Sequence, residues 1–336
     1  MPVLDAVEHL VGMQSQVPID PYVGLWSRLE GFDPEELGRA MLERRAVRMT
    51  LLRVTLHLVT ARDALALRPV VQEMIESRFA TGMPFGPKVE DIDRRDLLAA
   101  GERLLEEPQG ISELGAALAE RFPGHDPSSL GYAIALLLPV VQVTPRGVWR
   151  KSLRPKLATL EEWLGRPIGQ PSPPDDAIVR YLRAFGPATT ADIRRWSGLS
   201  GLRDSIDRLR RQLLSYRDES GKELLDVPDG VFAAPDTPAP PRFLPQYDNI
   251  LLSHEDRSRI AGERRLDGDF PWKGSVLVDG FLGGVWRLRT ERRDAVLTVE
   301  LDVLPKRSFR TQLESEAERL LHFLTPEAKS RELKVS

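Results

Sequence analysis

The sequence predicts an α+β chain, mainly helical, and three observations carry that expectation. Amphipathic stretches followed by β-rich residues recur three times before about residue 235. Two Pro-rich polar stretches, GRPIGQPSPPDD (165–176) and APDTPAPPRF (234–243), have the composition of domain boundaries. Beyond the second, residues 275–304 alternate apolar and polar positions around glycine breaks, as in a three-strand meander. Three helices followed by paired strands is the order of a winged helix. The expected architecture is therefore three tandem winged-helix units (1–90, 91–165 and 176–235) and a small C-terminal α+β domain of meander plus helix (242–336). A chain of 336 residues exceeds what one core usually fills, in keeping with several domains.

Taken in order, Val3, Ala6, Val7, Leu10 and Val11 have helical spacing, and Pro18 with Pro21 stop that helix. Residues 22–30 predict a short second helix. Asp33 as N-cap, Pro34 at the first helical position and Glu36 after it start a third, running to about Arg45. VRMTLLRVTLHLVT (47–60), rich in Val, Thr and Leu and free of Gly and Pro, predicts a strand or tight hairpin. The second unit repeats this with helices over 95–107, 111–122 and 127–138, and VVQVTPRGVWR (140–150) predicts two strands around Pro145-Arg146-Gly147. In the third, helices over 176–185, 189–198 (closed by Gly198) and 202–213 precede two strands separated by a polar tip, Asp218 to Lys222. An acidic helix over 311–323 closes the chain.

Composition removes whole classes of chemistry. With no cysteine there is no disulfide, thiol nucleophile, iron–sulfur cluster or cysteine-type zinc site. The histidines at 9, 57, 125, 254 and 322 are too scattered for a helical metal pair, so neither metal nor cofactor is expected. Nucleotide-binding glycine motifs and the nucleophile elbow of hydrolases are absent as well. No stretch approaches 18 apolar residues, and Asp5 and Glu8 stand where a signal peptide would carry basic residues. The expected location is the cytoplasm, without a membrane partner.

The net charge of −3 conceals a distribution. Residues 39–62 carry +5, 142–156 carry +5 and 180–217 carry +6, leaving −19 elsewhere. All three blocks fall on the recognition-helix or wing portion of an expected unit, where a winged helix meets phosphates. Candidate DNA contacts are Arg45, Arg48, Arg53, His57, Arg146, Arg150, Lys151, Arg194, Arg195, Arg203, Arg208 and Arg211. Arginine-rich helical faces are also common as plain solvated surface. Arg53, Thr55 and His57 would share one face of a strand, with the alternative that His57 is simply hydrogen-bonded structure. Trp26 and Trp196 are expected in the core, and Asp248, Asn249, Asp256 and Arg257 in domain docking.

Between the first helix and Pro18 lies Gly12-Met13-Gln14-Ser15-Gln16-Val17-Pro18. Pro18 favours extended backbone before it, and there Gln14 and Gln16 share a face, able to hold a water between two amides. The competing reading is a polar helix end whose glutamines satisfy backbone groups.

The run AVEHLVGMQSQVPIDPYVGLWSRLEGFDPEEL, with VRMTLLRVTLHLVTARD, FLPQYDNILLSHEDRSRI and VLVDGFLGGVWR, resembles the AlkZ-like family of bacterial winged-helix DNA glycosylases over nearly the whole chain. The resemblance implies tandem winged helices around DNA and a Gln-x-Gln catalytic motif, matched by Gln14 and Gln16, with Ser15 where an apolar residue is usual. It implies a monofunctional glycosylase of base excision repair that removes N7- or N3-alkylated purines, including bulky adducts or interstrand crosslinks, from duplex DNA. It further implies no cofactor, a monomer and a nucleoid-associated location. The alternatives are a non-catalytic winged-helix DNA-binding protein, such as a transcriptional regulator, and a protein-interaction scaffold.

Overall fold

The computed structural model describes residues 1–262, 273–303 and 305–336. Leu304, at the end of the expected meander, and residues 263–272 of the expected C-terminal domain lie outside the described residues. The chain forms two compact units, one of Met1–Ile19 and Phe32–Gly230, the other of Asp20–Gly31 and Val231–Ser336.

In chain order, α1 (Val3–His9) leads into β1 (Met13–Gln14) and α2 (Asp20–Trp26). Helix α3 (Pro34–Leu42) is capped by Asp33, whose side chain accepts from the Glu35 amide. It ends before the expected Arg45, because Arg44 has φ 59°. Strands β2 (Ala46–Thr50) and β3 (Leu56–Thr60) form the expected hairpin, joined through a 3₁₀ turn at Leu52–Val54.

The 22-residue α4 (Ala61–Gly82) is absent from the sequence reading. Pro69 in its interior argues against a helix, since it cannot donate to the Leu65 carbonyl. The Gly169 amide fills that acceptor instead, at 3.3 Å. Apolar burial on several sides of α4 (Ala64, Leu65, Leu67, Val71, Ile75 and Phe79) also blurs its periodicity.

Helices α5 (Arg94–Leu104), α6 (Ile111–Arg121) and α7 (Pro127–Leu137) follow, close to the expected spans. The predicted hairpin at 140–150 is not formed. β4 (Val140–Gln142) pairs instead with β5 (Leu157–Thr159), because the intervening amides serve local turns, Val148 bonding Pro145 and Lys151 bonding Val148. Then come α8 (Leu160–Leu164), α9 (Asp175–Phe185), α10 (Thr190–Ser197) and α11 (Arg203–Leu209), and the hairpin β6 (Leu214–Arg217) and β7 (Glu223–Asp226).

One antiparallel sheet of order β1-β3-β2-β4-β5 therefore runs through residues assigned from sequence to two separate units. Its core continues into the third: Val47, Met49, Val71 and Ile75 belong to the same buried cluster as Ile178, Tyr181, Trp196 and Ile206. A second cluster joins the end of α4 to α5, α6 and α7.

In the other unit, β8 (Arg242–Leu244), α12 (Asn249–Leu252), α13 (Ser258–Ala261), β9 (Gly274–Val278), β10 (Phe281–Glu291), β11 (Asp294–Leu301), α14 (Arg307–Leu324) and β12 (Ser330–Val335) complete the chain. The sheet order is β12-β11-β10-β9-β8, the meander extended by a strand at each edge. Helix α2 belongs to this unit. Arg28 beyond its end makes two hydrogen bonds to the buried Asp248 carboxylate, at 2.8 and 2.6 Å, and Trp26 stacks on Phe323 at 5.8 Å. Among the described residues no helix is long and apolar enough to cross a membrane.

Candidate active site

The Gln-x-Gln segment is placed by a reversal after α1. Val11 and Gly12 take φ values of 52° and 88°, and a Cβ on Gly12 would lie 2.6 Å from Val59 Cγ1, so only glycine fits. The chain then runs extended along β3, with Met13 opposite Leu58 and Gln14 opposite His57. The Ser15 amide continues the ladder by donating to Leu56 O at 2.7 Å.

Alternation turns Ser15 inward, where it is fully buried. Arg48 of β2, 1% exposed, holds it: Nε donates to Ser15 Oγ at 2.8 Å and Nη2 to Ser15 O at 2.6 Å, while Nη1 donates to Gln142 Oε1 at 2.8 Å. The serine in the usually apolar position thus has a partner of its own.

Gln14 is buried and Gln16 exposed. Gln14 Oε1 accepts from Arg53 Nη2 at 3.1 Å, and Gln16 Oε1 accepts from the Leu56 amide at 2.8 Å. A guanidinium and a backbone N–H can only donate, so each amide is fixed with its oxygen toward its donor. Each oxygen keeps a second lone pair, and neither Nε2 has a partner among the described residues. Gln16 thus satisfies a backbone group, and each amide keeps an Nε2 donor and one oxygen lone pair without a partner among the described residues.

Arg53 sits in the 3₁₀ turn at φ 55°, followed by Val54 at φ 56°, so Arg53, Thr55 and His57 do not alternate along one strand as expected. Its side chain folds back instead. Nη1 donates to the Trp196 carbonyl at the end of α10, and Nη2 lies 3.3 Å from His57 Nε2. His57 Nδ1 is 2.9 Å from the Thr55 carbonyl, which can only accept, so the ring carries its proton on Nδ1 and Nε2 accepts from Arg53. Burial, and then the Arg53 charge, push the His57 pKa down to about 3, against the opposing Thr55 bond; the ring is neutral at neutral pH. Burial lowers Arg53 to about 10, with a further contribution from Arg195, and leaves it a cation.

The expected DNA contacts divide. Arg48 and His57, 1% and 2% exposed, are corrected to interior groups, whereas Arg53 is half-buried and tied at this edge by three hydrogen bonds that leave its Nε–H and one Nη1–H uncommitted. Arg45 pairs with Glu43, Arg208 makes two bonds to Asp175, and Arg146 donates to the Leu153 carbonyl. Arg150, Lys151, Arg194, Arg195, Arg203 and Arg211 are exposed. An open cleft of about 640 Å³ between α10 and α11, lined by Thr190, Arg194, Leu199, Arg203, Ile206 and Arg210, presents part of this set. Trp196 is core, as expected, and Asp248 docks α2. Among the described residues no group of three or more His, Asp or Glu is arranged to hold a metal ion. The Arg48–Ser15–Gln142 contact escaped the sequence reading, because the three residues come from separate segments and a buried arginine counts as charge like any other.

The model of the family described as DNA glycosylase AlkZ-like matches residues 7–323. Among solved structures, the Streptomyces sahachiroi DNA glycosylase AlkZ is similar, with a TM-score of 0.76 and 20% identity over 100% of this chain and 94% of that one. At that identity the likeness is one of fold. Comparison with curated protein sequences gives no match.

Proposed function

The chain belongs to the AlkZ-like family of DNA glycosylases, and from that premise we propose that it is a monofunctional DNA N-glycosylase acting on N7- or N3-alkylated purines in duplex DNA, with bulky adducts or interstrand crosslinks within its range. The carrying observation is the Gln14-Ser15-Gln16 segment, held extended on a sheet edge with both amides oriented and Ser15 pinned by Arg48. An N7- or N3-alkylated purine is already cationic. Its glycosidic bond breaks with the electron pair returning to the ring, so no general acid is needed. Water then adds to C1′ and releases its proton to solvent. Gln16, the exposed amide, positions that water through its free lone pair, and Gln14 contacts the sugar or the same water. No lysine precedes Lys88 in the sequence, which supports hydrolysis over Schiff-base chemistry.

On this reading the 176–235 segment acts as a winged-helix unit on the duplex, segments 1–90 and 91–165 act on it together through the one sheet they share, the 242–336 segment with Asp20–Gly31 completes the protein, and Arg194, Arg195, Arg203, Arg211, Arg150 and Lys151 meet phosphates. The protein works as a monomer in the cytoplasm on nucleoid DNA, without a cofactor. The test is incubation with an oligonucleotide duplex carrying N7-methylguanine, followed by alkali. Strand scission should appear with the wild type and fall by about 10²-fold or more in Gln14→Ala and Gln16→Ala, the loss expected when a group that positions the reactants is removed. Scission absent from the wild type, or undiminished in both variants, overturns the proposal. The bond from Gln16 to the Leu56 amide is what a purely structural glutamine would make, and it favours a second reading, a non-catalytic DNA-binding protein, which predicts tight sequence-specific binding without scission.

A further inference from the structure

Arg53 is a cation surrounded by dipoles. Its hydrogen-bond partners are the Gln14 amide oxygen, the Trp196 carbonyl and the neutral His57 ring, and no carboxylate is among them. Taking a guanidinium out of water is normally offset by an opposite charge. Here a second cation stands nearby. Arg195 immediately precedes Trp196 on α10, it is exposed, and it has no hydrogen-bond or ion-pair partner among the described residues. Its positive charge is felt at Arg53, whose pKa it lowers. The approach of the two segments is fixed by Gly198, where a Cβ would lie 3.0 Å from Arg53 Cα and φ is +79°. Arg180, Arg183, Arg208 and Arg210 of this region are balanced by Asp63, Asp229, Asp175 and Glu223, whereas Arg194, Arg203 and Arg211, like Arg195, have no such partner among the described residues; what sets Arg195 apart is its place beside the Trp196 carbonyl that Arg53 binds.

We propose that Arg53 and Arg195 together bind one phosphodiester of the substrate strand, the phosphate flanking the nucleotide whose base is removed. The inference rests on the glycosylase reading and adds a named phosphate to it. The Arg195 guanidinium can present paired N–H donors to phosphate oxygens, and Arg53 keeps its Nε–H and one Nη1–H for a further contact. Binding there has two effects on the chemistry. It supplies the missing counter-charge, so that Arg53 can hold Gln14 Oε1 without opposing the positive charge that develops on the sugar. It also sets a fixed distance between strand backbone and the two amides, which places the sugar rather than any particular base.

The test uses the full-length protein and duplexes containing one tetrahydrofuran abasic analogue, with an uncharged methylphosphonate replacing each flanking phosphate in turn. For the wild type, neutralising one of these phosphates should weaken binding by about tenfold, the size of one charge-assisted contact. Arg195→Gln should lose about as much on the unmodified duplex. It should lose nothing more from the same methylphosphonate, while the slope of log affinity against log salt falls by about one. Arg195→Lys should recover most of the slope. If the two losses add in full at both positions, or if no flanking methylphosphonate affects the wild type, the assignment is wrong. Binding is read without excision, so failure of the glycosylase reading shows separately, as absent scission of alkylated DNA.

Discussion

His57 has both ring nitrogens engaged within the protein. Neutral, with its Nδ1 proton committed to Thr55, it serves Arg53 as an acceptor. Its pKa near 3 has two consequences. The excision rate should show no inflection near 6.5, the ordinary histidine value. Stability should depend on pH below that value. Between pH 6.5 and 3 the unfolded chain binds a proton that the folded protein excludes, so stability is complete above 6.5 and falls with pH through this window. The slope contributed by this one proton is at most about 1.4 kcal/mol per pH unit. Denaturant titrations at several pH values should show this slope in the wild type and its loss in His57→Gln. An inflection near pH 6.5 in the wild-type excision rate that disappears in that variant would assign His57 to proton transfer instead.

At the scale of elements, the decisive one is two residues long. β1 depends on the reversal at Val11 and Gly12 and on the close approach of Gly12 to Val59. Gly12→Ala adds a Cβ at a positive φ and within 2.6 Å of Val59, so β1 must shift along or away from β3. The expected result is a lowered melting temperature and, with the proposed role of Gln14 and Gln16, excision reduced by about 10²-fold, the effect of a displacement near 1 Å on groups that position reactants. Unchanged excision would separate the reaction from the placement of β1. The hairpin β2–β3 was legible in the sequence because local pattern determines it, and the glutamine pair stood out through the resemblance of the run around it to a known family. The strand pairing of β4 with β5 was not. A Pro-x-Gly turn at 145–147 announces a reversal, but which segment returns to pair depends on where 157–159 lies in space. α4 was illegible for a similar reason: Pro69 is tolerated only because Gly169, a hundred residues away, takes the vacated carbonyl.

Among the described residues, arginines that look alike in the sequence have three different fates: exposed without a partner, paired at the surface, or drawn inward as tethers. Arg180 illustrates the last. Its guanidinium bonds Asp63 at 2.9 and 2.5 Å and the Glu8 carbonyl at 2.7 Å, tying α9 to α4 and α1. Arg180→Ala leaves the Asp63 carboxylate, 1% exposed, without this partner, and should cost about 3 kcal/mol in denaturant unfolding. Arg180→Met with Asp63→Leu should restore most of that, whereas an equal loss in single and double variants would show that packing, not charge, dominates there. By itself the sequence determined the mixed α and β class, most element positions and the exclusion of thiol chemistry, because periodicity, caps, turn residues and composition act locally, and its resemblance to a family pointed to Gln14-Ser15-Gln16. Only the tertiary structure decided that one sheet spans two expected units, that Arg48 and His57 turn inward, and that Arg53 reaches Gln14 and the end of α10. Those outcomes depend on burial and on hydrogen-bond partners distant in sequence, which residue spacing alone does not encode.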